Sequence, residues 1–306
     1  MKRESYKTKR QHIKPNKKTR KALKTKSNLQ SFEKLNCAPD PKRKHKFSCF
    51  NSDKLRLIRN TWNARHPDVK INTDDPKKIW TKLKTYIGAT CNNELCWLKQ
   101  QFVKNQLNSD LFHNTFAPKS PNIWKKNPTE WLDSLNILAV IKQYEASYSS
   151  FEFIGPSPID YDTHYDNGDC VWKELCEFQI TEFIKNKKTK LGIIFNLDPH
   201  YKSGSHWVSL FMDIKKENIY YFDSNGISPP KQINKLMDTI IEQATHIGLD
   251  IKKHINTKQH QYSDTECGMY SLYFIIQMLK GESFQTFIKT RIPDSKMIEF
   301  RNIYFN

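Results

Sequence analysis

The feature that most limits what this chain can fold into is where its charge lies. The 306 residues carry 50 Lys or Arg against 32 Asp or Glu, a formal net charge of +18. Residues 1–48 hold 17 of the basic side chains, opposed by Glu4, Glu33 and Asp40 alone, so 14 of the 18 net charges sit there. Like charges at that density repel one another and do not pack. Residues 1–50 are therefore expected to form a basic, disordered arm, and a fold must be built from the nearly neutral remainder. With 37% hydrophobic and 12% aromatic residues overall, that remainder can bury a core of ordinary size.

Such an arm can bind nucleic acid or nucleoprotein through phosphate contacts, serve as a nuclear import signal, or simply keep the protein in solution. No apolar segment of the kind found in a secretory signal opens the chain. Apolar runs such as those from Leu191 to Leu197 and from Leu272 to Leu279 are too short to cross a bilayer, so no membrane insertion is expected. Seven cysteines, at 37, 49, 91, 96, 170, 176 and 267, make an odd set, and without an oxidising compartment in view they are expected to be reduced thiols. Cys91 with Cys96, or Cys170 with Cys176, could form half of a zinc site. Neither pair has Cys-x2-Cys spacing or a matching His pair, so no metal is expected.

Beyond the arm, apolar residues recur at helical intervals over residues 53–66 and 75–87, which predicts a small helical subdomain spanning 51–128 and ending in the proline-rich stretch 114–128. A helix from Thr129 to Tyr148 follows, then a loop over residues 151–164 and a second helix over 171–185. The period then changes. Residues 190–197, 206–214 and 218–222 are short runs rich in Ile, Val, Phe and Tyr, which read as strands, and the three residues between the last two make an antiparallel hairpin. A helix over 229–247, a strand over 250–257, an apolar helix from Cys267 to Leu279 and two terminal helices complete an α+β domain over residues 129–306, with a mixed sheet between helices.

Four residues in this domain suggest chemistry. Cys267 follows the polar loop Ser263-Asp264-Thr265-Glu266 and opens a helix, where free backbone N–H groups and the helix dipole favour the nucleophilic thiolate. His206 opens the strand His206-Trp207-Val208-Ser209-Leu210-Phe211, and an imidazole suits proton transfer near neutral pH. Asp223 ends the partner strand, so the hairpin should carry its carboxylate toward the imidazole to fix its tautomer. It also begins the turn Asp223-Ser224-Asn225-Gly226. Gln261, six residues before Cys267, can supply a side-chain amide to a developing oxyanion. Gly268 leaves room for a substrate backbone to approach.

These residues, in this order and context, resemble the adenoviral and SUMO-specific (ubiquitin-like-protein) cysteine proteases. The likeness is closest to the SUMO-protease-like polyprotein proteases of large DNA viruses such as African swine fever virus. Three blocks carry it: Gly204-Ser205-His206-Trp207-Val208, the stretch from Tyr221 through Pro230, and Gln261 to Ser271. The resemblance implies a papain-like core with Cys267 as nucleophile, His206 as general base and acid, Asp223 as orienter and Gln261 as oxyanion donor. It also implies no cofactor and cleavage after Gly-Gly-type sequences in a channel partly closed by the aromatic beside the histidine, here Trp207. The expected substrate is a Gly-Gly-containing viral polyprotein, cut in the host cytoplasm or in the virion. A ubiquitin-like conjugate cut by an isopeptidase is the first alternative. An acetyltransferase using the same triad, or a nucleic-acid-binding protein with an inert protease-like domain, are the others; the basic arm also leaves a nuclear location open.

Overall fold

Two of the predicted strands form the expected hairpin: β3 (Trp207–Asp213) and β4 (Asn218–Phe222) pair antiparallel, with Ser209 opposite Phe222 and Asp213 opposite Asn218. Every residue of β3 is buried, which explains its unbroken apolar run: a central strand covered on both faces has no solvent side to mark with polar residues. With β1 (Phe151–Pro158), β2 (Lys190–Asn196) and β5 (Lys252–Ile255) it makes a five-stranded sheet in the order β1-β2-β3-β4-β5. The outer pairs, β1 with β2 and β4 with β5, are parallel and the inner ones antiparallel, so the sheet is mixed as expected. The structure is a computed structural model that describes residues 32–100 and 114–306, and Phe32–Asn306 form one compact unit.

Alternation along the strands divides the core in two. Phe151, Phe153, Ile194, Phe211, Tyr220 and Phe222 face α4 (Ser134–Ser147) and α8 (Cys267–Lys280). Leu191, Ile193, Leu210, Met212, Ile219 and Tyr221 face the opposite layer, built from α5 (Lys173–Cys176), α6 (Ile180–Lys185) and α7 (Lys231–His246). The helix α8 can press close to β2 because Gly192 carries no side chain: a Cβ there would lie 2.9 Å from the Phe151 ring and 3.2 Å from Ile275. The last two helices, α9 (Phe284–Lys289) and α10 (Asp294–Tyr304), cover α8 from outside through Phe284, Phe287, Met297 and Tyr304.

Packed chain begins before the charge run ends. Residues 1–31 lie outside the described residues, but within 32–50 the side chains of Ala38, Cys49 and Phe50 are buried, the last two against α1 (Ser52–Arg65), α2 (Pro76–Ile87) and α3 (Glu94–Lys99). The expected disordered arm therefore does not reach residue 50. Buried Glu94 is the reason: it accepts hydrogen bonds from Ser48 Oγ at 2.5 Å, the Cys49 N–H at 2.9 Å and Trp80 Nε1 at 2.6 Å, fastening the segment to α2 and α3. Burial raises the pKa of this carboxyl, and the same three hydrogen bonds counteract the rise.

Other expectations also shift. The stretch 151–164, read as a loop, contains β1: Gly155, Pro156 and Pro158 hide it from propensity, yet β1 is an edge strand, where proline costs little. The helix expected from Thr129 starts at Ser134, because the Asp133 side chain caps it by accepting the Asn136 N–H at 2.7 Å; Trp131 falls before it and Leu135 is 72% exposed, off the core stripe. The helix expected over 171–185 is broken into α5 and α6 by extended Gln179. Six of the seven cysteines are disulfide-bonded rather than reduced, as Cys37–Cys49, Cys91–Cys96 and Cys170–Cys176 with Cα atoms 5.1, 5.4 and 6.3 Å apart. The sequence argument concerned compartment and was blind to these local approaches. No helix among the described residues is long and apolar enough to cross a membrane.

Phe274 of α8 is fully buried and stacks on Phe222 of β4 with ring centroids 4.9 Å apart. Phe274→Ala should lower stability by about 3–5 kcal/mol in urea unfolding; a loss below about 1 kcal/mol would contradict this account of the α8–sheet seam.

Candidate active site

His206 immediately precedes β3 and Asp223 immediately follows β4, so the antiparallel register carries both to one end of the sheet. Nε2 of His206 lies 2.7 Å from Oδ1 of Asp223, whose side chain is 1% exposed. The same carboxylate oxygen accepts the Asn225 N–H at 2.8 Å, and Asn256 Nδ2 donates to the Asp223 carbonyl at 2.8 Å, so the turn itself holds the acid in place. Both readings of Asp223 in the sequence, turn former and histidine partner, describe the same residue.

Cys267 is the first residue of α8, 2% exposed and the one free cysteine. The preceding residue, Glu266, makes no side-chain cap, so the first N–H groups of α8 have no capping side chain from it. The Cys267 side chain is among the groups that raise the His206 pKa, so it lies near the ring. With Nε2 turned to Asp223, Nδ1 is the nitrogen left for the thiol. Burial alone would hold the imidazole pKa down, but hydrogen bonds and charge attraction from Asp223 and Cys267 outweigh it and raise the pKa to about 9. The ring is therefore an imidazolium at neutral pH.

Gln261 sits 4% exposed in the loop before α8. Its Oε1 accepts from Ser224 Oγ at 2.7 Å and its Nε2 donates to the Ser263 carbonyl at 2.5 Å, which leaves one amide N–H for another acceptor. Trp207, 7% exposed, donates its indole N–H to the Leu132 carbonyl at 2.9 Å. Gly268 does not face open space as the sequence suggested: a Cβ there would lie 2.9 Å from Leu132 Cβ and 3.3 Å from Trp207 Cδ1. The room left by that glycine is taken up by the two side chains closing over the start of α8.

Leu132 and Trp207 also line a groove of about 710 Å³. Its walls include Trp131, Pro156, Tyr165, Trp172 and His200, so an aromatic and proline-lined trough leads up to the residue beside His206. His200 is tied by Nδ1 to Asp160 at 2.8 Å, on the rim of this groove. His164, Cys170 and Cys176 bring three ligand-type atoms within 4.8 Å of one another, but the bond between the two sulfurs leaves the imidazole as the single free donor.

Three groups that shape the site went unread in the sequence. Leu132 was assigned to a helical stripe that it precedes, and Ser224 to a turn, although its hydroxyl holds Gln261. The third is the ion pair of Glu266 with Arg301, Oε2 to Nε 2.8 Å, with side chains 0% and 3% exposed. A signal for it exists: Met297, Arg301 and Tyr304 share one face of α10, so an arginine stands on the buried side of an amphipathic helix.

A thiol at a helix N-terminus, joined to an imidazole that a buried carboxylate orients, is the machinery of a cysteine peptidase, and this chain is one. Residues 163–306 match the model of the Ulp1 protease family, C-terminal catalytic domain. Over 292 residues the chain is 29% identical to a thiol protease of Acanthamoeba polyphaga mimivirus, covering 88% of this chain and 92% of that one. Over 248 residues it is 29% identical to the SUMO-1 cysteine protease of African swine fever virus, covering 75% and 89%. Two crystal structures of the African swine fever virus protease superpose with TM-scores of 0.59 and 0.61 at 24% and 23% identity, covering 89% and 91% of this chain and 95% and 98% of theirs. They share the fold.

Because the raised imidazole pKa depends on Asp223, the active ion pair should persist up to about pH 9 and fail above it. In Asp223→Ala the alkaline limb of kcat/KM should move down toward the ordinary histidine range, and kcat should fall by about 10²-fold or more. A limb unmoved in the variant would remove Asp223 from the site.

Proposed function

We propose that the protein is an endopeptidase that cuts polypeptide chains after Gly-Gly-type sequences, with Cys267 as nucleophile, His206 as general base and acid, Asp223 as orienter and Gln261 as oxyanion donor. The observation that carries this reading is the join of His206 to the buried Asp223 carboxylate beside the helix N-terminus that presents Cys267. The Gly-Gly preference rests on the family resemblance of the three sequence blocks around these residues.

The chemistry follows from the geometry. In the ion pair the proton from Cys267 rests on His206 Nδ1, and the Cys267 thiolate attacks the scissile carbonyl. The oxyanion is held by the free amide N–H of Gln261 and the N–H groups at the start of α8, each worth about 2.7–4 kcal/mol. Collapse gives a thioester as His206 hands its proton to the leaving amine, and water then repeats the sequence in reverse. No step calls for a cofactor.

A viral polyprotein is the substrate class we favour, acting in the host cytoplasm and in the virion, because the relatives with whole-length likeness are proteases of large DNA viruses. Removal of a ubiquitin-like modifier is the second reading, favoured by the name of the African swine fever virus relative. The basic residues 1–48 would then serve to hold the enzyme on nucleoprotein, a reading supported by their charge alone.

Wild type and Cys267→Ala should be incubated with peptides spanning a Gly-Gly junction and with a SUMO conjugate. We expect cleavage by wild type only, with peptides carrying Ala for the second Gly cut at least about 10²-fold more slowly. Equal rates on the Ala peptides would overturn the Gly-Gly assignment, and exclusive action on the conjugate would favour the isopeptidase. Gly268→Ala should reduce cleavage while leaving urea stability within about 1–3 kcal/mol of wild type.

A further inference from the structure

Arg301 of α10 touches more of the site's supports than any of the residues read from the sequence. Its Nε pairs with Glu266, the residue bonded to the nucleophile, at 2.8 Å. Its Nη1 donates to the Glu130 carbonyl at 2.7 Å, and Nη2 lies 3.4 Å from the Thr129 carbonyl and 3.3 Å from that of Thr265. Its planar face lies over the Trp124 ring at 4.6 Å. Two residues past Glu130, Leu132 covers Gly268 and accepts the indole N–H of Trp207, the neighbour of His206. One guanidinium thus braces both shoulders of the site: the loop that presents the thiol and the segment whose Leu132 packs on Gly268 and holds Trp207.

Charge sharpens this. Glu266 is fully buried and is the residue before Cys267 in the chain, with its carboxylate oxygens on Arg301 Nε and Thr265 Oγ1. A buried negative charge there opposes the thiolate unless it is neutralised. The other ionisable groups nearby are His206 and Asp223 from the sheet end, Tyr270 one turn along α8, whose pKa is raised first by burial and then by Asp294, and Asp294 at the start of α10, which accepts a hydrogen bond from Tyr270 and is paired with Arg291 at 3.2 Å. Among these, His206 is committed to the thiol and Asp223, and Tyr270 and Asp294 add no positive charge. Arg301 is the cation that contacts Glu266.

Resting on the cysteine-peptidase reading, we infer that Arg301 is a positioning residue with two separable tasks. It neutralises Glu266 so that Cys267 ionises at neutral pH, and through the Thr129 and Glu130 carbonyls it holds the wall of the groove formed by Glu130, Trp131 and Leu132.

The test uses the full chain and two readouts: cleavage of a Gly-Gly peptide, and the pH dependence of Cys267 alkylation by iodoacetamide, followed by mass spectrometry of the Cys267 peptide. The second needs no substrate and stands even if the proposed cleavage fails. In Arg301→Met the acid limb of alkylation should move up by about 1 pH unit, and kcat/KM near neutral pH should fall by at least about 10-fold. Adding Glu266→Gln should return the limb to its wild-type position without restoring the wild-type KM. Arg301→Lys, which keeps the charge and loses the fork of carbonyl contacts, should leave the limb in place and raise KM. If Arg301→Met does not fold, Arg301→Lys and Glu266→Gln alone decide the matter: the former must raise KM, and the latter must shift the limb down or leave it unmoved. An unmoved limb in folded Arg301→Met, or an unchanged KM in Arg301→Lys, overturns the inference.

Discussion

A helix that is apolar on nearly every side must be covered on nearly every side, and α8 imposes that condition on the rest of the molecule. Eleven of its 14 residues are buried, among β2 and β3 beneath it, α4 beside it and α10 outside it. Once those layers are in place, the end of α8 has little freedom, and Cys267 is that end. The thiol is located by hydrophobic packing along about 20 Å of helix, not by contacts at the sulfur. The hairpin of β3 and β4 supplies the other half of the arrangement, since its register fixes His206 and Asp223 together at the edge that α8 overlies.

Electrostatics then act on a frame already set. Burial would make His206 a weak base, and the attraction of Asp223 and Cys267 reverses that. The carboxylate can exert this pull because it is almost wholly removed from water and held by Asn225 and Asn256, where its interaction with a ring 2.7 Å away is little screened. The same low-dielectric setting is what makes Glu266 dangerous without Arg301. Buried charge next to a catalytic thiol is either paired or harmful.

What the sequence revealed, it revealed through period and order. β3, β4 and α7 have clean apolar patterns and no internal Gly or Pro to blur them, α8 is largely apolar past Gly268, and the hairpin of β3 and β4 is enough to join His206 to Asp223. β1 was hidden because its prolines sit where an edge strand tolerates them, and the start of α4 was misplaced because Trp131 and Leu132 continue its apolar rhythm without belonging to the helix. Leu132 illustrates the limit well: nothing in its surroundings says that it will lie across Gly268, 136 positions later in the chain. The disulfide pairs and the Glu94 anchor are equally contacts of three-dimensional neighbours. Arg301 was legible in principle, as a charge on the apolar face of α10, but its partner could not be named from spacing.

The order in which these parts leave the ribosome adds a final point. Glu266 and Arg301 are 35 residues apart, so the strand hairpin and the thiol emerge well before the cation that settles them. The pair is therefore buried in one event, when α10 docks on α8 and covers Glu266 and its cation together.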